Sequence, residues 1–315
     1  MSTEQGRSRL PPQNLGAVER FVAQSLGSGD FALEPFASLG YQTTVYACET
    51  ATGEYIVRHG HSATNMAKDR YAAEHFARPD LPIPRVVAVG RLADKTSLCL
   101  SERAPGGVAD AASLATTGTG LNRQFNEVLQ AIHTTDVSGS RGYAYAKGNG
   151  QGALPSWLQA LGLRNAGYRY WARLAGNAAT LDQNEFKEIA ALQRNLGGFA
   201  LTTEERRLCH GDPKDSNLIA APDRLTVIDW SRFEYGDPAY DLGILHVRHP
   251  GAVDPAAHAE AIGLTDTHLT ERTLYYALGE CLVAMGYFGQ EGLETEVAAT
   301  QERLVAIAHE ASSIG

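Results

Sequence analysis

The chain lacks the marks of several large protein classes. Its four cysteines, Cys48, Cys99, Cys209 and Cys281, lie far apart with no C-x-x-C pair, which argues against a disulfide framework and a structural zinc site. No apolar run approaches the roughly 18 residues of a membrane span. The opening MSTEQGRSRLPPQNLG is polar and has no signal-peptide core, so the expectation is a cytoplasmic protein whose residues 1–12 form a flexible tail. A nucleic-acid partner would need a basic face, and none is visible. GRLADKTS has a Lys-Thr pair but not the second glycine or the spacing of a Walker A loop. There is no G-x-S-x-G elbow and no internal repeat. His246 with His249, and His59 with His61, could share a face, but no H-E-x-x-H accompanies them.

What is present is a chain of 315 residues, 43% hydrophobic, long enough for one large domain or two lobes. Its net charge of −9 is unevenly spread: from Gly251 onward ten carboxylates face only Arg272 and Arg303. That stretch is either a solvated helix surface or a field that draws in a cationic small molecule.

The pattern changes along the chain. LGAVERFVAQSLG has helical spacing and stops at glycine. FALEPFASLG, TTVYACET, EYIVRHG, RVVAVGRL and TSLCLSER read as five short strands, interrupted by one helix around NMAKDRYAAEHFA. Helices dominate afterwards: LNRQFNEVLQAIHTT, the Trp157 to Leu174 region, NEFKEIAALQRNLGGFAL, and a pair from Thr265 onward. TTGTG and GNGQG read as loops. The expectation is an α+β protein with a small β-rich lobe, residues 1–104, and a larger, mainly helical lobe, residues 105–315, jointed near RAPGG.

The densest cluster of polar groups is LCHGDPKDSN, residues 208–217. By composition it could be an ordinary surface turn. The next two segments argue otherwise: NLIAA and RLTVIDW read as two strands turning at Pro222 and Asp223. An antiparallel pair brings Asn217, at its entry, beside Asp229, at its exit. An amide oxygen and a carboxylate converging there are hard ligands of the kind Mg²⁺ takes.

HGDPKDSN, with VIDW and GDPAYDLG after it, resembles the aminoglycoside phosphotransferases and related small-molecule kinases. KDRYAAEHF and LPIP resemble the hygromycin-phosphorylating branch. The resemblance implies a two-lobed protein-kinase-like fold, a nucleoside triphosphate (ATP or GTP) with Mg²⁺, and phosphorylation of an antibiotic hydroxyl. It makes Asp212 the catalytic carboxylate, and it matches Asn217 and Asp229 to the metal ligands, as the hairpin geometry does. Lys214 falls where Ser/Thr protein kinases carry a lysine that approaches the transferring phosphate. His210 and Asp241 correspond to residues that brace the catalytic loop. In the small lobe, Gly40 in SLGYQTTVY corresponds to a degenerate phosphate-covering turn, and Arg58 stands where most kinases have a lysine, paired by spacing with Glu74. Ser101, Glu102, Arg103 and Ala104 would form the hinge that meets the purine edge.

Four substrates or roles are compatible with these residues. The first is an aminoglycoside or aminocyclitol antibiotic, which suits the acidic last fifth of the chain. A nucleoside or peptide antibiotic in a producer strain is the second. A metabolic kinase for choline, a sugar or homoserine is the third; choline would call for an aromatic cage, and Tyr275, Tyr276, Tyr287 and Phe288 read as ordinary core residues that do not establish one. The fourth, a non-catalytic relic, is disfavoured because Asp212, Asn217 and Asp229 are all present.

Overall fold

Thr50 folds the chain back on itself: its hydroxyl accepts from the Gly53 amide at 3.0 Å and donates to the Gly53 carbonyl at 2.9 Å. The strands on either side, Thr43–Thr50 and Gly53–Gly60, pair antiparallel and lie within the first sheet. The structure is a computed structural model that describes residues 15–36, 43–202, 205–265 and 268–314. In chain order it runs α1 (Leu15–Leu26), β1 (Ala32–Phe36), β2 (Thr43–Thr50), β3 (Gly53–Gly60), α2 (Ala63–His75), β4 (Val86–Arg91), β5 (Ser97–Glu102) and β6 (Gly107–Val108). Next come α3 (Ala111–Ala115), α4 (Gly120–His133), β7 (Tyr143–Ala146), β8 (Gly152–Leu154), α5 (Trp157–Ala178), α6 (Gln183–Leu201) and β9 (Arg207–Cys209). The chain continues through β10 (Leu218–Ala221), β11 (Arg224–Val227), β12 (Glu234–Gly236), α7 (Ala239–Arg248), α8 (Pro255–Ala261), α9 (Leu269–Glu291) and α10 (Glu294–Ser312).

These elements form two compact units. The first comprises Met1–Val108, Lys147–Gly150 and Ser216–Arg232; the second comprises Ala109–Ala146, Gln151–Asp215 and Phe233–Gly315. The expected single cut after residue 104 is therefore replaced by a boundary at Val108 and two later returns of the chain. Strand pairing gives the reason for one return: Gly107 and Val108 bond to Ala220 and Ile219, so β6 joins the β10–β11 hairpin.

In the first unit all five strands read from the sequence are present, in the antiparallel order β1-β2-β3-β5-β4. Val18 and Val22, one helical turn apart on α1, pack on Tyr46, Cys48, Val57, Leu98 and Leu100 of the sheet. Each such side chain, fully withdrawn from water, contributes about 1.5–3 kcal/mol. Ser62 caps α2 by accepting from the Asn65 amide, and Met66, Lys68, Asp69 and Ala72 form the buried face of that helix. The Lys147–Gly150 turn packs against α2: a Cβ added to Gly150, whose φ is +72°, would fall 1.9 Å from the Tyr71 ring.

In the second unit α9 is the central helix, packed by α5, α6, α7 and α10. It buries Tyr275, Tyr276, Leu278, Leu282 and Met285. Helix α7 crosses it at Gly243, where a Cβ would lie 2.5 Å from Tyr276 Cβ and 2.9 Å from the Ala277 nitrogen. Asp241, two residues earlier on the same helix, is wholly buried. A four-stranded sheet, ordered β8-β7-β12-β9, was not foreseen, because strands of three or four residues are too short to show a period. All four cysteines are buried and free. Among the described residues, no helix is long and apolar enough to cross a membrane.

Candidate active site

The loop after β9 is held from beneath by one carboxylate. Gly211 takes φ +78°, a conformation that favours glycine, and this turns successive amides toward α7. The His210 amide donates to Asp241 Oδ2 at 2.7 Å and the Gly211 amide to Asp241 Oδ1 at 2.8 Å. Asp241 is wholly buried. Burial alone would raise its pKa, but the hydrogen bond and charge of His133, the field of His210 and the Gly211 amide outweigh it, and the carboxyl lies below its usual value. Asp241 therefore accepts from two successive amides of the loop. The neighbouring Asp237 accepts from the Ala239 amide at 3.0 Å and from Arg272 Nε at 2.9 Å in a fully buried pair.

Asp212, next in the chain, donates its amide to His210 Nδ1 at 3.3 Å. His210 is completely buried and braces the loop. The Asp212 carboxylate is half-buried and bonded by Lys214 Nζ at 2.8 Å. Further along, the Asp215 amide donates to His249 Nε2 at 3.3 Å. His249 and its neighbour in the sequence pattern, His246, have separate partners, Asp215 and Glu310. His59 bonds Thr96 at 2.7 Å.

His133, Cys209 and Asp241 bring ligand-type atoms within 4.8 Å of one another. Both nitrogens of His133 and both oxygens of Asp241 already serve hydrogen bonds. Burial also pushes the Cys209 thiol well above its usual range, away from the thiolate that a metal takes. The cluster is a hydrogen-bonded brace.

The β10–β11 hairpin is as the sequence indicated. Leu218 pairs with Val227, and the Ile228 amide donates to the Asn217 carbonyl at 2.9 Å, so the strand ends that carry Asn217 and Asp229 meet. Asn217 is buried in a single turn of 3₁₀ helix. Asp229 has φ +61°, a strained conformation for a residue with a side chain, and strain of this kind collects at functional positions. Its carboxylate is 42% exposed, leaving an open face, and Arg58 Nη1 stands 3.8 Å away. Two hard oxygen donors, one of them solvent-facing, fit a Mg²⁺ ion that keeps several non-protein ligands.

Arg58 does not pair with Glu74. Its Nη2 bonds Asp69 Oδ2 at 2.5 Å, while Glu74 lies exposed on the other face of α2. The stripe Met66, Asp69, Ala72 and Phe76, spaced by three and four, faces inward, and this periodicity excludes Glu74. Asp69 also accepts from the Trp230 amide at 2.8 Å, while Lys68 donates to the Ser231 carbonyl at 2.8 Å. Burial works against the Arg58 charge, but Asp69 and Asp229 outweigh it and hold the guanidinium above its usual pKa. Burial raises the Asp69 carboxyl, with Arg58 and the Trp230 amide opposing.

The hinge segment continues the ladder. The Glu102 amide donates to Arg85 O at 2.9 Å and the Arg103 amide to Glu54 O at 3.0 Å; Glu102 and Arg103 also pair with Arg85 and Glu54 through their side chains. Ser101 sits between Ile56 and Val86 in the sheet, and Ala104 is the first residue past these bonds. Gly40 lies outside the described residues.

The sequence profile of the phosphotransferase enzyme family matches residues 33–275. The chain belongs to that family. This phosphotransferase is 24% identical, over 248 residues, to the hygromycin-B 4-O-kinase of Escherichia coli, an alignment covering 77% of this chain and 69% of the relative. Its fold is similar to that of a thermostable mutant of aminoglycoside phosphotransferase APH(4)-Ia in ternary complex with AMP-PNP and hygromycin B (TM-score 0.74, 23% identity, 93% of this chain and 98% of the other). It is also similar to the choline kinase LicA from Streptococcus pneumoniae (TM-score 0.60, 15% identity, 95% and 100%). The α+β, kinase-like fold expected from the sequence is thereby shown.

Three features of this phosphotransferase were missed at the sequence level. Asp69 was detectable as a polar residue on the apolar stripe of α2. His133 and His258 gave no such signal, because 125 positions separate two residues that meet only in the fold. Arg164, stacked 3.7 Å from the centre of the Tyr240 ring and paired with Glu234, was likewise hidden.

Proposed function

We propose that the chain is a nucleoside triphosphate- and Mg²⁺-dependent O-phosphotransferase that phosphorylates a hydroxyl of a hygromycin-like aminoglycoside antibiotic. The observation that carries this reading is the brace under the catalytic loop: Asp241 holds the amides of His210 and Gly211 and so fixes the carboxylate of Asp212 that comes after them. Phosphoryl transfer through a loose transition state asks little of a carboxylate beyond position. Asp212 would orient the acceptor hydroxyl and take its proton as the oxygen–phosphorus bond forms and the bond to the nucleoside diphosphate breaks. Lys214, bonded to Asp212, would offset the negative charge of the phosphoryl group in transfer. Asn217 and Asp229 would hold Mg²⁺, which when bound neutralises phosphate charge. Arg58, oriented by Asp69, would grip the phosphates in a bidentate manner. Ser101 to Ala104 would border the base, with Ala104 contributing the first amide past the ladder.

A choline-type substrate is less well supported. Tyr275 and Tyr276 are wholly buried, and Tyr275 donates its hydroxyl to Asn165 Oδ1 at 2.7 Å, so both belong to the core and cannot form an open cage. The test is a mass-spectrometric screen with ATP or GTP and Mg²⁺ against hygromycin B, other aminoglycosides, nucleoside and peptide antibiotics, sugars and choline. The expected result is one added phosphate on hygromycin B or a close relative. Phosphate on choline alone would overturn the reading.

A further inference from the structure

The carboxylate under the catalytic loop is itself held in place. Asp241 accepts from two amides and also, on Oδ2, from His133 Nε2 at 3.2 Å. An ionised carboxylate only accepts, so the His133 proton facing it is on Nε2. The other nitrogen, His133 Nδ1, lies 2.7 Å from His258 Nε2. Across that contact one ring donates and the other accepts. His133, His258 and Asp241 are all buried. They stand on three different helices: His133 ends α4, His258 lies in α8, and Asp241 lies in the first turn of α7.

The far end of the chain of bonds is incomplete. Among the described residues, His258 Nδ1 is buried with no hydrogen-bond partner. Leaving it so costs stability, and a leucine there would remove that cost only by leaving His133 Nδ1 unpaired instead. Burial, then the neighbouring His133, depress the His258 pKa to about 3, which keeps the ring neutral and singly protonated at ordinary pH. A neutral ring bonded to His133 Nδ1 holds the orientation of His133, as outer partners hold a histidine elsewhere.

We infer that His258 and His133 are positioning residues that act in series on the catalytic loop: His258 orients His133, His133 orients the Asp241 carboxylate, and Asp241 sets the His210 and Gly211 amides and hence Asp212. The inference rests on the reading of Asp212 as the catalytic carboxylate.

The test uses His258→Leu, His258→Gln, His133→Leu and His133→Gln in the full chain, with three measurements on each. These are kcat and KM for ATP with the accepted antibiotic, thermal midpoint, and hydrogen exchange of a peptide spanning residues 207–217. Glutamine can place an amide donor near the position of the histidine Nε2, so it is the conservative replacement. The expected result for His258→Leu is a kcat about tenfold lower, as for loss of one positioning bond, with KM for ATP unchanged, the thermal midpoint little changed because one unpaired buried nitrogen replaces another, and faster exchange confined to the loop. His133→Leu should show a larger fall in kcat. Each glutamine variant should recover most of the loss. Wild-type kcat and loop exchange in both leucine variants would overturn the inference. So would a kcat loss that tracks the thermal midpoint, or a glutamine variant no better than leucine. Hydrogen exchange needs no substrate, so a wild-type enzyme that phosphorylates nothing while its loop exchange responds as expected would remove the functional reading and leave the positioning chain standing.

Discussion

The Arg58 guanidinium and the Asp69 carboxylate lie 2.5 Å apart, and the same carboxylate accepts from the Trp230 amide through its other oxygen. One aspartate thus fixes a cation on the third strand and the backbone next to Asp229. Removing it leaves Arg58 only the longer contacts to Asp229 and Cys99. A charge-assisted bond of this kind is worth about 1.5–3 kcal/mol. Asp69→Ala is therefore expected to raise KM for ATP by about tenfold or more, at 1.4 kcal/mol per factor of ten. Glu74→Ala, on the exposed face, should stay within about twofold of wild type. Steady-state kinetics at varied ATP check the pair, and the reverse ranking would restore Glu74 as the partner.

Asp212→Ala should lower kcat by about two orders of magnitude or more with little change in nucleotide affinity, the pattern of an interaction made only in the transition state. Turnover with the accepted antibiotic and calorimetric titration with a non-hydrolysable nucleotide separate the two. Near-normal turnover would remove Asp212 from the reaction.

Stability should depend on acid in a way traceable to one ring. In the folded chain His258 is held near a pKa of about 3, against an ordinary value of 6.5. Between those values the unfolded chain binds a proton that the folded chain refuses, so stability rises with pH across the window and falls on acidification by up to about 1.4 kcal/mol per pH unit. Asp241 adds to the loss at lower pH, because a depressed carboxyl contributes stability that disappears as pH falls through its folded value. Urea unfolding at pH 7, 6 and 5 should show a shallower decline for His258→Gln than for wild type. Equal slopes would contradict the assignment.

Two glycines offer a matched comparison. Gly243→Ala forces a methyl to within 2.5 Å of Tyr276 Cβ and should cost about 1–3 kcal/mol. Gly167, inside α5, has no atom within 4 Å of its added Cβ, so Gly167→Ala should gain about 0.5–1 kcal/mol from helix propensity. Thermal denaturation decides both signs.

What could be read before folding was what nearby residues determine. The five strands, α2, and the hairpin between Leu218 and Val227 are set by periods and turns only a few residues long. The motif from His210 to Asn217 was legible because its chemistry is contiguous. Spacing from Arg58 along the chain points to Glu74, whereas the inward face of α2 carries Asp69. His133 and His258 were out of reach, since a hydrogen bond between α4 and α8 leaves no trace in either segment alone. The short strands β7, β8, β9 and β12 owe their existence to one another and to no local pattern.

The interleaving of the two units limits how the molecule can be dissected. A fragment ending at Val108 would contain the whole five-stranded sheet yet strip Gly107 and Val108 of Ala220 and Ile219, Asp69 of the Trp230 amide, and Tyr71 of the Gly150 turn. The small unit is therefore no detachable module to be swapped between relatives at a single junction; a chimaera that keeps its partners must carry residues 147–150 and 216–232 along with it.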